Sequence, residues 1–310
     1  MILQSQGAII AGPSSAHGAT RPETPLNRFD YNEAFARTLG WVTEAEQSQL
    51  RQRRVAIAGL GGVGGVHLLT LTRLGIGKFN IADNDRFELV NFNRQAGATV
   101  DSIGRPKVDV MAAMAQAINP EVDIRKFGEG ISADNLDTFL DDVDVYVDGL
   151  DFFAFDIRER TFAACYAKRI PAVTVAPIGM GAAMLNFLPG RMTFEQYFQF
   201  KGASDSEKAL RFLLGVSPAM LHRRYLVDPS RVNLKEQYGP STPMACEICA
   251  GIAGTQVLKI LLKRGKVLAA PRGIHFDAYT YRLANTWRPR GNKNLVQRLL
   301  LAMARRQFRR

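Results

Sequence analysis

The fold of this chain is decided by one short stretch, Val55-Ala56-Ile57-Ala58-Gly59-Leu60-Gly61-Gly62-Val63-Gly64. The four apolar residues predict a buried β-strand, and the glycines match the spacing G-x-G-x-x-G directly before an amphipathic segment, 66–74. Without side chains, such a turn lets backbone N–H groups and the N-terminus of the next helix approach a phosphate. The stretch therefore predicts the first strand, turn and helix of a nucleotide-binding sheet.

The segments on either side extend this unit into an α/β alternation. Helical periodicity covers 31–54, with Thr43 as an N-cap, and then 106–117, 133–140 and 155–168. Strand patterns lie between them, at 78–82, 122–126, 143–147 and 172–176. Because strands that alternate with helices form βαβ units, we expect a Rossmann-like, mostly parallel sheet with flanking helices.

The pattern changes beyond Gly179. Residues 190–244 carry aromatics, prolines and a charged run, which predict a crossover or lid segment with short helices. Further on, the periodicity predicts a helix over 246–263 that stops at Gly265, a small β portion over 275–282, and a basic amphipathic helix over 295–308. We expect a disordered N-terminal arm (1–26), one nucleotide-binding domain (27–289) and a basic tail (290–310).

Composition excludes several protein classes. Hydrophobic residues make up 46% of the 310 positions and charged residues 22%, which excludes collagen, coiled coil and wholesale disorder. No apolar run approaches about 20 residues and the start lacks a signal-peptide pattern, so we expect a cytoplasmic protein without a transmembrane segment. The net charge is +11, yet nine bases and no acid follow Asp277, so the basicity belongs to the tail.

Polar residues follow the second predicted strand. Asp83 stands 22 positions beyond Gly61, where a carboxylate can reach a ribose hydroxyl. The next loop contains Asn91, Arg94 and Lys107, whose donors and two cations suit a polyphosphate better than the open, apolar pocket of a nicotinamide. The glycine turn and Asp83 alone permit ATP, NAD or a tight turn that only packs strand on helix. The loop favours ATP, and an NAD-dependent oxidoreductase is the less favoured alternative.

Two carboxylates follow the strand predicted at 143–147. Asp148 and Asp151 leave the carboxyl end of that strand, on the same rim of the sheet as the glycine turn. Asp148 is expected to cap its own loop. Asp151 is placed to hold Mg²⁺ on phosphates, since Mg²⁺ is commonly bound by one or two carboxylates together with substrate phosphates.

In this order the motifs resemble the ThiF/MoeB/HesA family. The motifs are the glycine turn, Asp-x-Asp, Asn-x-x-Arg-Gln, Gly-x-Pro-Lys and the strand-end Asp; the resemblance covers 37–179 strongly and 246–263 weakly. Members are relatives of the ubiquitin-activating enzymes. They adenylate a carboxylate with Mg·ATP, commonly the C-terminus of a ubiquitin-like or sulfur-carrier protein, and release pyrophosphate. The resemblance therefore implies an ATP-dependent adenylyltransferase acting on such a protein or a peptide.

The resemblance also implies a role for each motif residue. The nucleotide would be bound by Gly59, Gly61, Gly62, Gly64, Asp83, Asp85, Asn91, Arg94, Gln95, Lys107 and Asp151. Among these, Asp83 would hold the ribose and Asp151 the magnesium, and the phosphates would be held by Asn91, Arg94 and Lys107. Arg37 lies where the family carries an arginine that reaches the partner subunit's ATP, which implies a homodimer.

The sequence departs from the family pattern in several places. Phe152 follows Asp151 where the family usually has Asn, which leaves open altered contacts or a catalytically silent binding module. Many members bind zinc with two C-x-x-C pairs, but only Cys246 and Cys249 form one here, so core packing is favoured over zinc. Residues 177–245 contain no cysteine. We therefore expect the reaction to stop at the acyl-adenylate, unless Cys246 or Cys249 forms a thioester.

The basic tail leaves a second function open. A helix over 295–308 with several arginines can dock on its own body, lie on an anionic membrane or contact tRNA phosphates. One branch of the same family acts on threonylcarbamoyladenosine in tRNA. A dehydratase of this kind is the alternative to the protein- or peptide-activating enzyme.

Overall fold

The computed structural model describes residues 28–233, 236 and 239–307. The predicted N-terminal arm and the last residues of the tail, Phe308 among them, lie outside the described residues.

One eight-stranded sheet forms the centre of the protein, and it confirms the predicted fold class. Its order is β3-β2-β1-β4-β5-β6-β7-β8, and β1 to β5 are parallel while β6 to β8 add antiparallel strands. The strands are β1 Arg54–Ala58, β2 Lys78–Ala82, β3 Asp123–Phe127, β4 Val145–Asp148, β5 Ala172–Ile178, β6 Gly181–Phe187, β7 Arg272–Asp277 and β8 Arg282–Trp287.

Helices cover both faces of this sheet. They are α1 Tyr31–Ala34, α2 Glu44–Gln52, α3 Gly62–Arg73, α4 Lys107–Ile118, α5 Leu136–Phe139, α6 Phe155–Ala167, α7 Phe194–Phe198, α8 Asp205–Val216, α9 Pro243–Leu261 and α10 Leu295–Gln307. On one face α3, α4 and α9 form a core with Leu68, Met111 and Val257. On the other, α5 to α8 enclose an aromatic core that includes Phe162 and Phe198.

Three predicted elements differ from the structure. The helix over 31–54 is broken after a 3₁₀ turn at 36–38, where Gly40 takes a positive φ of 100°; Thr43 then begins α2 with a capping box to Glu46. The predicted helix over 133–140 is a single turn, α5. The β portion over 275–282 is a hairpin of β7 and β8 rather than one strand, because the chain reverses at Tyr281, a non-glycine residue with a φ of 52°.

Strand β6 is absent from the sequence prediction. All seven of its residues are buried, so it lacks the alternation that marks a half-exposed strand. It runs antiparallel to β5 through the short turn at Gly179 and Met180. The crossover segment therefore leaves the sheet after β6 and returns to it through α9.

The C-terminal helix α10 packs against α8. Leu301 is buried against Leu210 and Leu214, and Gln297 donates to the backbone oxygen of Leu214. Arg305 forms a bidentate ion pair with Glu207. Residues 295–307 are thus docked on the body, and the domain boundary at 290 stays a prediction.

One described helix is long and apolar enough to cross a membrane, by length and composition only. It is α9, half of whose apolar stretch is buried in the fold against α3, β5 and β6. Core helices of this kind pass the same test, so the finding is weak evidence for a membrane span. The expected cytoplasmic location remains a prediction.

Candidate nucleotide-binding site

The glycine turn lies at the point where the sheet changes its direction of growth. β1 has β2 on one side and β4 on the other, and ligands of open α/β sheets bind at such a point, beyond the carboxyl ends of the strands. The turn requires bare backbone. Gly59 has a φ of 82°, and a Cβ on Gly59 or Gly64 would overlap the backbone of Gly149 or of the turn itself.

Asp83 is fastened to this turn by its side chain. Its Oδ2 accepts from the N–H of Leu60 at 2.6 Å, and its Oδ1 accepts from the N–H of Asp85 at 2.8 Å. Burial raises the pKa of this carboxyl, and the two N–H groups and Lys107 oppose that rise. The end of β2 and the glycine turn are therefore one rigid unit, and contact with a ribose stays a prediction.

Lys107 and Asp85 form an ion pair beside this unit. The Lys107 Nζ lies 2.9 Å from Asp85 Oδ2, and Lys107 is only 5% exposed. The Asp85 side chain is 65% exposed, so solvent screens the pair from that side. The pair orients the ammonium group, and a more highly charged anion can compete with Asp85 for it.

The motif Asn91-x-x-Arg94-Gln95 also lies beside the glycine turn. Asn91 is buried, and its Oδ1 accepts from the N–H of Glu88, which holds a 3₁₀ turn. Gln95 is 6% exposed, its Nε2 lies 3.6 Å from where a Cβ on Gly61 would stand, and its Oε1 has no hydrogen-bond partner among the described residues. A buried acceptor without a partner at a glycine turn fits a site that a ligand completes.

Arg94 and Cys246 both pack against Gly62, at the N-terminus of α3. A Cβ on Gly62 would lie 3.5 Å from Arg94 Cγ and 3.1 Å from Cys246 Sγ. Burial raises the pKa of the Cys246 thiol, and the charge of Arg94 opposes that rise. This contact joins parts of the chain about 150 residues apart, so local sequence patterns gave no signal for it.

Arg158 on α6 holds the loop that carries Asp151. Arg158 and Asp148 form a buried ion pair at 3.0 Å, and Arg158 also donates to the backbone oxygens of Leu150 and Asp151, each at 2.8 Å. Asp148 is thus structural, as expected. Asp151 is exposed, and its Oδ1 accepts from the N–H of Phe153 at 2.9 Å.

The departure at Phe152 has a packing explanation. Its ring centroid lies 4.8 Å from that of Phe153 and 5.3 Å from that of Phe212 on α8. The side chain therefore belongs to the aromatic core between the Asp151 loop and α8. It fastens the loop by apolar contact, where the family's usual asparagine would offer hydrogen bonds.

The two metal expectations concern different residues. Cys246 and Cys249 are both buried in the core, and the described part of the chain has no group of three His, Cys, Asp or Glu residues suited to a metal. Two thiols alone do not complete a tetrahedral zinc site, and the expectation of no zinc stays a prediction. Asp151 alone fits Mg²⁺ only as one oxygen ligand beside phosphates, and Mg²⁺ binding stays a prediction.

Among the described residues, no hydrogen bond or ion pair joins Arg37 to the residues of this site. It is exposed on the 3₁₀ turn at 36–38. Large apolar side chains are also exposed in the loop between β2 and α4, among them Leu89, Val90 and Val100. The reach of Arg37 toward a partner subunit remains a prediction.

Fold and site together define an α/β protein with a mostly parallel sheet, a glycine turn at its switch point and two cations beside that turn. The sequence model of the ThiF family matches residues 35–296. The chain therefore belongs to the ThiF family, as its motifs predict.

Curated relatives match about half of the chain. It is 32% identical over 147 residues to the protein HesA, heterocyst, of Trichormus variabilis, a match that covers 47% of this chain and 54% of HesA. It is 31% identical over 159 residues to the tRNA threonylcarbamoyladenosine dehydratase of Bacillus subtilis, covering 51% and 58%. It is 31% identical over 143 residues to the sulfur carrier protein ThiS adenylyltransferase of Escherichia coli, covering 46% and 56%. The chain thus spans about half the length of these relatives.

Solved structures resemble the chain over most of its length. PaaA has a TM-score of 0.63 at 20% identity, covering 85% of this chain and 77% of PaaA. MccB of E. coli, solved with ATP, has a TM-score of 0.59 at 19% identity, covering 81% and 68%. At these identities the resemblance establishes the fold.

Proposed function

We propose that this chain is an ATP-dependent adenylyltransferase that activates a carboxylate, the C-terminus of a ubiquitin-like or sulfur-carrier protein or of a peptide. One observation carries the proposal: Arg94 lies on the bare glycine turn, and Asp83 and Asp85 link the same turn to Lys107. The family supports it, since the ThiS adenylyltransferase is a relative and MccB is solved with ATP.

The reaction needs a phosphate site that favours charge on the leaving group. A carboxylate oxygen bonds to the α-phosphorus, the bond from that phosphorus to the bridging oxygen breaks, and pyrophosphate leaves with the electron pair. In this proposal, Arg94 and Lys107 would stabilise the growing charge on the pyrophosphate. Asp151 would hold Mg²⁺, which supplies further positive charge on the phosphates.

The acyl-adenylate is proposed to be the product that leaves for another nucleophile. Cys249 is fully buried in the core, where a thioester has no room. Cys246 is 1% exposed, and its pKa is raised by burial, which lowers the fraction of reactive thiolate. Neither thiol has the exposure of an acyl acceptor.

A homodimer is part of the proposal. Leu89 and Val100 are 71% and 77% exposed on the loop that carries Arg94, and a second copy would remove such apolar surface from water. Arg37 would then contribute its charge to the partner's nucleotide.

The first test is nucleotide selectivity. Mg·ATP at about 100 times its Kd should stabilise the protein by about 2.7 kcal/mol, a rise of several degrees in Tm, while NAD should not. Asp151→Ala should weaken Mg·ATP binding, and with the right carboxylate it should lose ATP–pyrophosphate exchange. The matched control is Asp134→Ala, an exposed carboxylate on another loop. Stabilisation by NAD alone would replace this function with an oxidoreductase.

The tRNA dehydratase remains the second candidate because that relative matches as well as the ThiS adenylyltransferase does. Arg298 and Arg306 are exposed on α10, whereas Arg305 is paired with Glu207. If they contact tRNA phosphates, Arg298→Glu and Arg306→Glu should each lower the salt slope of tRNA binding by about one. Arg160→Glu, an exposed arginine on α6, is the control. No salt-dependent tRNA binding by the unmodified protein would exclude this candidate.

A further inference from the structure

The returning end of the crossover segment, residues 190–244, is attached to the same rim as the nucleotide site. Thr242 Oγ1 donates to the backbone oxygen of Gly179 at 2.7 Å. Tyr225 OH accepts from the N–H of Met180 at 2.7 Å and donates to Asp277 Oδ2 at 2.5 Å. Tyr225 and Thr242 of this segment are therefore held on the turn between β5 and β6 by side-chain hydrogen bonds.

Asn93 connects this seated end to the phosphate-binding loop. Its Nδ2 donates to the backbone oxygen of Ser241 at 3.1 Å, and its Oδ1 accepts from Arg94 Nη1 at 3.0 Å. An amide offers a donor and an acceptor on one planar group, so both contacts depend on one side-chain orientation. Cys246, in the first turns of α9, packs against Gly62 beside the stem of Arg94. Ser241, at the end of the crossover segment, is thus linked to Arg94 through Asn93, and Cys246, five residues further on, packs on the same glycine as Arg94.

We propose that Asn93 is a positioning residue for Arg94, through which seating of the crossover segment raises the affinity of the site for the phosphates of ATP. The inference rests on the proposed function. Arg94 Nη1 is engaged by Asn93 Oδ1 and by the backbone oxygen of Val90, and the remaining N–H groups of the guanidinium can then face a phosphate. Because coupling between binding equilibria is reciprocal, bound ATP stabilises the seated crossover segment in turn.

The experiment combines calorimetry with amide hydrogen exchange on the full chain. In the unmodified protein, Mg·ATP should slow exchange over 221–233. Asn93→Ala should weaken the Kd for Mg·ATP about tenfold, the usual scale for one hydrogen bond to a charged group, and should reduce that slowing. Asn93→Gln keeps the amide and should recover part of both effects. Asn285→Ala removes an exposed asparagine on β8 and should change neither.

The possible outcomes distinguish a failure of this inference from a failure of the proposed function on which it rests. If the unmodified protein binds Mg·ATP and Asn93→Ala binds it equally well with the same exchange pattern, the positioning role is wrong and the adenylyltransferase stands. If Asn93→Ala weakens binding but the crossover segment exchanges alike in both proteins, Asn93 acts locally and the coupling is wrong. If the unmodified protein binds no Mg·ATP, the proposed function and this inference fail together. Asn93 is exposed, so the variant is expected to fold.

Discussion

At the scale of single residues, Arg158 determines whether the Asp151 loop keeps its shape. Its guanidinium satisfies buried Asp148 and three consecutive backbone oxygens, those of Leu150, Asp151 and Phe152. Arg158→Ala leaves a buried carboxylate unpaired, so we expect a loss of about 3–5 kcal/mol in the free energy of unfolding, measured by urea denaturation. Mg·ATP binding should weaken as well, because Asp151 loses its support.

The matched control for this prediction lies on the same helix. Arg160 is exposed on α6, and Arg160→Ala should change the free energy of unfolding by less than about 0.5 kcal/mol. Adding Asp148→Asn to Arg158→Ala removes the unpaired charge and should restore part of the lost stability. Equal stability of Arg158→Ala and Arg160→Ala would show that the buried pair is not what holds the loop.

At the scale of elements, the sequence predicts best where the signal is local. Strand β2 lies at 78–82, where its pattern places it, because its buried run is bounded by loops on both sides. The hairpin of β7 and β8 is missed because Tyr279, Thr280 and Tyr281 are strand formers that here make a turn. Their turn is fixed by Asp277, whose Oδ1 accepts from the N–H and the hydroxyl of Thr280.

In the candidate site too, the sequence predicts the residues that are close in the chain and misses the contacts between distant segments. The glycines and Asp83 could be found from spacing, since β1, the turn, α3 and β2 follow one another in the chain. The packing of Arg94 and Cys246 on Gly62 and the hydrogen bond of Asn93 with Ser241 could not, because α9 reaches the site only after the crossover segment. The spacing of residues within a motif does not indicate that α9 packs back against the glycine turn. Tertiary packing determines that contact.

At the scale of the whole molecule, the proposed homodimer makes each nucleotide site depend on two chains. An Arg37→Ala chain would keep its own Asp151 but deprive its partner's site of the arginine, and an Asp151→Ala chain would do the reverse. Each variant alone should be nearly inactive. In a mixed dimer, the site of the Arg37→Ala chain receives Arg37 from its partner and is complete.

Co-expression of these two variants therefore tests both the assembly and the role of Arg37. Random pairing makes about half of the dimers mixed, each with one complete site of two, so ATP–pyrophosphate exchange should recover to about one quarter of the unmodified level. Expression of the Arg37→Ala variant alone is the control, because neither site of its dimer receives an Arg37. Absence of recovery in a mixture that sediments as a dimer would place Arg37 outside the partner's site. Sedimentation as a monomer would instead require each chain to complete its site alone, with the exposed Leu89 and Val100 facing some other partner.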